Sequence, residues 1–376
     1  MRRLALSLVI LLSTPCAAFA QRENAPTTVT FEGAKWRVAA QEARVERHLG
    51  RDALALARGR LWRDGVDFAD GVVEFDVAYQ EEMVFIGAAW RAESDDRFEE
   101  MYFRGHLNNK PDALQYTPVE HGLSAWQIFS DGNAIAPVSQ RFGAWNNVKI
   151  VVEGGRADIY FNSEAPVLHV PDLKTGLERG LVGLRHSGAG AGPAYFSNIA
   201  VRPLRPGEGI VGAPKDPPAL PEGVIGRWSV SAPFAEAAVA GALALPLDAG
   251  RDLSWSALDI ETNGIGNIAR LHPADDGADT VFVRLRIQSD RSQMKEMLFG
   301  YSDRIRIYVN GKRTYFGDAG WTVRDYRFLG TVGFFDSAGL DLKKGDNEIL
   351  IAISETFGGW AFAGAMADRS GIRFAD

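Results

Sequence analysis

Residues 147–161 read NVKIVVEGGRADIYF. Val148, Ile150 and Val152 share one face of a period-two strand, and Ala157, Ile159 and Phe161 share one face of the strand that returns. Gly154-Gly155 between them supplies the tight turn of a β-hairpin. The same signature recurs on both sides. Upstream, Phe68-Ala69-Asp70-Gly71 is a turn leading into Val72-Val73-Glu74-Phe75-Asp76-Val77, and Met83 to Trp90 is a second apolar run. Downstream, Leu181 to Leu184 and Tyr195 to Val201 read as late strands.

The C-terminal half repeats the pattern. Val281, Val283, Leu285 and Ile287 share a face, as do Ile305, Ile307 and Val309. Asn310-Gly311 then suits a type I′ turn, which needs positive φ at both central residues. Lys344-Gly345-Asp346-Asn347 is another turn, leading into Ile349, Ile351 and Ile353. No segment sustains a 3.6-residue apolar period; the nearest, the alanine-rich Glu236 to Leu245, is interrupted by Gly241. Short strands with frequent glycine turns predict an all-β chain of two β-sandwich (jelly-roll) domains. Pro203, Pro206, Pro214, Pro217, Pro218 and Pro221 mark a boundary, because proline lacks the amide that a central strand needs. The expected organisation is a leader at 1–20, a jelly roll at 25–203, a proline-rich linker at 204–221 and a second sandwich at 222–376.

The leader is read from Arg2-Arg3, the apolar run Leu4 to Leu12, and Ala18-Phe19-Ala20 before Gln21. This is the charge, core and cleavage pattern of a secretory signal peptide. The expected location is periplasmic or secreted. The single cysteine, Cys16, would leave with the leader, so no disulfide framework or thiolate metal site is expected. Loss of the two leader arginines takes the formal charge from −7 to −9. An acidic chain argues against nucleic acid and anionic membrane as partners. No later apolar run is long enough for a transmembrane segment.

Several chemistries lack their motifs. There is no GxSxG, HExxH or GxxxxGK[ST], and no histidine pair at helical metal-ligand spacing. What stands out is Phe98 to His106, where Glu100, Tyr102, Arg104 and His106 alternate onto one strand face and Glu99, Met101 and Phe103 onto the other. Asp112, Gln115, Tyr116 and Trp126-Gln127 follow. Planar hydrogen-bonding side chains beside aromatic rings suit sugars, whose hydroxyls need fixed donors and acceptors and whose C–H faces need an apolar platform.

The run from Phe68 to Val77, with Glu100-x-Tyr102-x-Arg104-x-His106, Pro111 to Pro118, Trp126-Gln127, Gly143 to Lys149 and Tyr195 to Asn198, resembles concanavalin A-like lectin/glucanase domains, in the branch near the 3-keto-disaccharide hydrolases. The resemblance spans most of 25–203. It implies a concave sheet as the sugar-facing surface, with Arg91, Glu100, Tyr102, Arg104, Gln115 and Tyr116 on it; His106, Asp112 and Trp126 join them as candidate substrate contacts. The glucanase pattern E-x-D-x-x-E is incomplete here. Its nearest match, Glu74-Phe75-Asp76, lacks the third acid, and Glu99 and Glu100 point to opposite faces.

The second half resembles galactose-binding-like β-sandwiches through Val281 to Arg286, Ile307 to Lys312, Leu342 to Glu348 and Gly358 to Phe362. Trp321, Tyr326 and Trp360 are candidate platforms there. No cofactor is expected, although clustered carboxylates at Asp275-Asp276-Gly277-Ala278-Asp279 could hold Ca²⁺. The expected partner is an oligosaccharide or polysaccharide. The leading functional expectation is glycan binding without turnover. The alternatives are a glycoside hydrolase, or a 3-keto-glycoside hydrolase or lyase, with Glu100 as its catalytic acid or base, and an envelope scaffold that binds protein. The sequence leaves the oligomeric state open.

The leader predicts a mature N-terminus at Gln21. N-terminal sequencing of protein recovered outside the cytoplasm checks this; an N-terminus still at Met1 overturns it.

Overall fold

The computed structural model describes residues 27–190, 192–246, 248–320, 323 and 331–375. The leader with Cys16, and Trp321 and Tyr326, lie outside the described residues. The chain is all-β, built from curled antiparallel sheets. The alanine-rich stretch from Glu236 forms a single 3₁₀ turn, Glu236–Ala238.

In chain order the first strands are β1 (Thr28–Phe31), β2 (Ala34–His48), β3 (Arg51–Arg63), β4 (Gly71–Ala78), β5 (Val84–Ser94), β6 (Arg97–Arg104) and β7 (Leu114–Glu120). They are followed by β8 (Leu123–Ser124), β9 (Ile135–Ala136), β10 (Asn146–Glu153), β11 (Arg156–Phe161), β12 (Leu168–Val170), β13 (Leu181–Gly188) and β14 (Ala194–Arg202). The opening hairpin is β10–β11, closed at Glu153 opposite Arg156.

Eleven of these strands form one continuous ladder in the order β12-β11-β10-β4-β14-β3-β13-β5-β6-β7-β8, with β2 paired to β3, β1 to β2 and β9 to β7. It closes into a sandwich because β3 serves both halves. Leu54 to Leu56 pair with β14, whereas Gly59 to Trp62 pair with β13. The change falls at Arg58 and Gly59, with φ of +50° and +152°. A side chain on Gly59 would strike the Ala39 carbonyl at 2.3 Å, so only glycine fits at this bend. The long hairpin β2–β3 is the part of the fold that the sequence pattern does not announce. Between the layers Val73, Phe75 and Val77 meet Ile86, Ala88, Trp90, Met101 and Phe103.

The second set comprises β15 (Arg227–Ser231), β16 (Trp255–Asp259), β17 (Gly266–Asn267), β18 (Thr280–Ser289), β19 (Gln293–Ser302) and β20 (Arg304–Val309). After these come β21 (Lys312–Asp318), β22 (Asp336–Leu342), β23 (Gly345–Ser354), β24 (Ala361–Ala365) and β25 (Ile372–Ala375). One sheet runs β16-β15-β18-β23-β20-β21 with β25 paired to β18, and the other runs β17-β24-β19-β22. Trp228, Val283, Ile307, Ile351 and Phe362 sit in the core between them. Asn310 and Gly311 both have positive φ, at +50° and +80°, in the two-residue turn between β20 and β21. Trp360 is fully buried, with Nε1 donating to the Ile353 carbonyl, so it is core and not a ligand platform.

The proline-rich segment carries no strand. It lies against the first module and is tied there by the few amides its prolines leave. Val211 and Gly212 donate to the buried Asp158 carboxylate at 2.7 and 2.8 Å, and Lys215 exchanges two bonds with the Asn133 side chain. His169 takes the other oxygen of Asp158 at 2.7 Å.

The modules also share a junction. Ile265, Val332, Ala361 and Ala363 of the second pack into the core cluster of the first. Gln127 is fully buried; its Nε2 donates to Ser302 Oγ at 3.1 Å, its Oε1 accepts from the Gly359 amide, and its carbonyl accepts from the Val332 amide at 3.0 Å. The Asn263 side chain donates to the Ile128 carbonyl at 2.8 Å, and the His121 ring donates to the Ala269 carbonyl at 2.7 Å. Beside Ser302 lie two buried acids. Asp303 accepts from the Thr356 and Phe357 amides, while neither oxygen of Glu355 has a well-aligned donor. Burial, with Asp303 beside it, pushes the Glu355 carboxyl up to about 8.

Two outcomes follow from the junction. Gly358 has a φ of +114°, and an added Cβ would lie 1.9 Å from Gln127 Oε1. Gly358→Ala therefore costs about 1–3 kcal/mol of stability from backbone strain alone, read as a lower urea midpoint. Glu355 is protonated in the folded state and ionised in the unfolded state between its ordinary 4.5 and about 8. Its contribution is complete below pH 4.5 and is lost as pH rises to about 8. Glu355→Gln flattens that part of the stability–pH curve.

Candidate functional site

The candidate residues sit on the face of β3, β13, β5, β6 and β7 that points away from the sandwich core. Antiparallel register sets them in rows. One row reads Trp62, Gly183, Ala89, Glu100, Thr117. The next reads Arg60, Arg185, Gly87, Tyr102, Gln115. A third places Ser187, Phe85 and Arg104 side by side.

Glu100 is 0 % exposed. Arg60 Nη2 donates to its Oε2 at 2.6 Å, and Arg185 Nη1 donates to its Oε1. Arg60 stands three strands away, a span of about 14 Å at the usual strand spacing. The two side chains meet because the positions between them are small. A Cβ on Gly87 would strike the Met101 carbonyl at 1.9 Å, and one on Gly183 would strike the Trp62 ring at 2.6 Å. The Arg185 guanidinium lies 4.6 Å above the Tyr102 ring and that of Arg60 4.7 Å above Phe98, so aromatic faces share the charge.

Tyr102, Arg104 and Gln115 form the adjoining knot. Arg104 Nη2 donates to Gln115 Oε1 and to the Tyr102 hydroxyl, the Tyr102 hydroxyl donates to Gln115 Oε1 at 3.1 Å, and Arg104 Nη1 donates to the Asp112 carbonyl. Gln115 Nε2 donates to the carbonyls of Trp126 and Phe129. Burial raises the Tyr102 phenol above its ordinary range, with Arg104 and Arg185 acting against it. Burial, then Arg104, lowers the His106 imidazole.

Glu100, Tyr102, Arg104 and Gln115 are therefore a buried floor. Above it is a partly open rim of Phe85, His106, Asp112, Ser187, Arg60 and Arg185. His106 meets Phe85 edge-on at 5.7 Å, and the Asp112 carboxylate stands 3.9 Å from Arg104. Trp126 is half-buried at the edge.

Two expected contacts fall elsewhere. Tyr116 is one residue past Gln115, so it points into the core; there its hydroxyl donates to Glu99 at 2.5 Å and accepts from the Lys174 amide. Arg91 lies where the β5 pairing is irregular, with a φ of +51°, and is turned toward Asp70 and the carbonyls of Ala69, Gly154 and Leu177. It pins loops together. Glu74 and Asp76 belong to the opposite layer, where Asp76 pairs with Arg51 at 2.6 Å; they cannot act on one bond with Glu100.

Arg60, Arg185 and Phe85 are the members that sequence reasoning missed. For the two arginines the signal is a charge following small or apolar residues of a strand, in Gly59-Arg60-Leu61 and Val182-Gly183-Leu184-Arg185. Among the described residues no group of three acidic, histidine or cysteine side chains is arranged to hold a metal. In the Asp275–Asp279 loop the Asp279 carboxylate is spent on the Glu236 amide and the Thr280 hydroxyl.

No family model matches the chain, and no curated protein matches it. Among solved structures it is similar to the carbohydrate-binding module CBM66 from Bacillus subtilis, at 14 % identity over 44 % of this chain and 92 % of that one, with a TM-score of 0.33. It is similar to a Bacillus licheniformis β-glucanase, at 12 % identity over 46 % and 92 %, with a TM-score of 0.33. Domain 4 of an extracellular arabinanase from Geobacillus stearothermophilus, solved with arabinotriose, matches at 10 % identity over 43 % and 77 %, with a TM-score of 0.27.

Removing the carboxylate from the floor leaves two guanidiniums without their anion. Glu100→Ala is expected to lose about 3–5 kcal/mol of stability in chemical denaturation. Glu100→Gln, which keeps the shape and one acceptor, loses less.

Proposed function

We propose that this protein is an exported carbohydrate-binding protein that holds a glycan on the first module. The observation that carries this reading is the two-tier site: a partly exposed aromatic and polar rim over a locked polar floor. Phe85 offers an apolar surface to sugar C–H groups, Asp112 accepts from hydroxyls, and Arg60 and Arg185 donate to ring and hydroxyl oxygens. The floor keeps these groups still, so little side-chain entropy is lost on binding. The resemblance to concanavalin A-like domains supports the same face. The second module, which resembles galactose-binding-like sandwiches, serves as an accessory body packed against the first.

Glycoside hydrolysis is the less favoured reading. It needs two carboxylates flanking one bond, and both oxygens of Glu100 are engaged by guanidiniums. A buried carboxylate in that position orients arginines.

The test is a glycan array probed with the purified protein, followed by titration of rim variants. Phe85→Ala and Asp112→Asn are expected to weaken the bound glycan about tenfold or more, about 1.4 kcal/mol each, with thermal stability close to the parent's. Release of reducing sugar that disappears in Glu100→Gln would replace binding by catalysis. Failure to bind any glycan, with a stable envelope protein recovered in pull-downs, would favour the scaffold role.

A further inference from the structure

The site collects positive charge in a chain that is acidic overall. The full sequence has 48 acidic residues against 41 lysines and arginines. The face from β3 to β7 nevertheless sets Arg60 and Arg185 on a single fully buried carboxylate, Glu100, and carries Arg104 on the same strand as Glu100. The other carboxylate nearby, Asp112, is 3.9 Å from Arg104 and its side chain is 45 % exposed. Arg104 spends its short hydrogen bonds on neutral acceptors: Gln115, Tyr102 and the Asp112 carbonyl.

Donors also outnumber acceptors. The Nε atoms of Arg60 and Arg185 are buried without a partner. A guanidinium has five N–H donors and no acceptor. A neutral sugar hydroxyl both donates and accepts, so a site for neutral sugars alternates the two kinds of group. On the Arg60–Arg185 side of the rim the guanidiniums can only donate, and the Ser187 hydroxyl beside them already accepts from Arg185 Nη2 at 2.9 Å. The two arginine side chains are 28 % and 14 % exposed, so their outer edges remain open. Burial draws the Arg185 guanidinium below its ordinary range, with Glu100 opposing this and Arg60 adding to it. Arg60 and Arg185 share the one Glu100 carboxylate, so two guanidinium charges meet a single negative charge.

Building on the saccharide reading, we infer that the glycan carries an acidic group, a carboxylate or a sulfate ester, which docks against the outer edges of Arg60 and Arg185. A planar carboxylate or a sulfate matches the guanidinium fork with parallel charge-assisted hydrogen bonds. Asp112, on the far side of Phe85, would then accept from a neutral hydroxyl. This gives the ligand a polarity across the rim, with its acidic group toward β13 and β3 and a hydroxylated edge toward Asp112.

The experiment compares matched polysaccharides by calorimetry with the purified protein. One arm pairs a polyuronate with its carboxyl-reduced, neutral form. A second pairs a sulfated polysaccharide with its desulfated backbone. Poly-glutamate controls for charge without a sugar. The expected result is binding to a member of at least one acidic arm, about tenfold or more weaker for its neutralised partner, and no binding to poly-glutamate; a charge-assisted hydrogen bond of about 1.5–3 kcal/mol sets that scale. The arm that binds tells carboxylate from sulfate. Arg60→Gln lowers the acidic-glycan affinity by a similar factor and Arg60→Lys by less, with thermal unfolding confirming that both are folded. Equal binding to acidic and neutral forms overturns the acidic-ligand inference and leaves saccharide binding standing. Equal binding to poly-glutamate also overturns it. Binding to no glycan in either arm or on the array overturns the saccharide reading and this inference with it.

Discussion

A carboxylate with no access to water has to be met by cations, and Glu100 is such a group. Moving it out of water is expensive unless both oxygens are hydrogen-bonded to opposite charge. The charges come from Arg60 and Arg185, on strands otherwise joined only through the ladder. On the intervening strands Gly87 and Gly183 are obligatory, because a Cβ there would collide with the Met101 carbonyl or the Trp62 ring. The carboxylate's demand draws Tyr102 and Phe98 under the guanidiniums and leaves Arg104 to be satisfied by Gln115. Much of the candidate face is a consequence of that one buried charge.

The second organising contact is the buried side chain of Gln127. It acts as an adapter between modules, with one end on Ser302 and the other on the Gly359 amide. Apolar residues from the second sandwich complete the core of the first. The proline-rich stretch is held by Asp158 and Asn133, so it follows the surface instead of spacing the modules apart. The junction also contains Asp303 and Glu355, two acids whose burial ties the stability of this region to pH.

Period two made part of the site legible. Glu100, Tyr102 and Arg104 lie on one strand at alternate positions, and their common face could be read directly from the sequence. Gln115 could be added because it belongs to the next strand. The same rule, carried one step further, places Tyr116 on the other face, where it bonds Glu99. Arg91 was unreadable for a different reason: an irregular pairing with positive φ re-aims its side chain. Arg60 and Arg185 were out of reach, since they stand 40 and 85 residues from Glu100. No local pattern connects positions so far apart.

The amino-acid sequence by itself determined the all-β class, the hairpin at Gly154-Gly155 and the Asn310-Gly311 turn. Each depends on periodicity or on the φ preferences of a few residues, which are local properties. Only the tertiary structure decided that Glu100 is a buried counter-ion, that Gln127 belongs to the module junction, and that arginines from β3 and β13 complete the rim. Those outcomes depend on which strands become neighbours, and strand neighbours are set by the burial of the whole core.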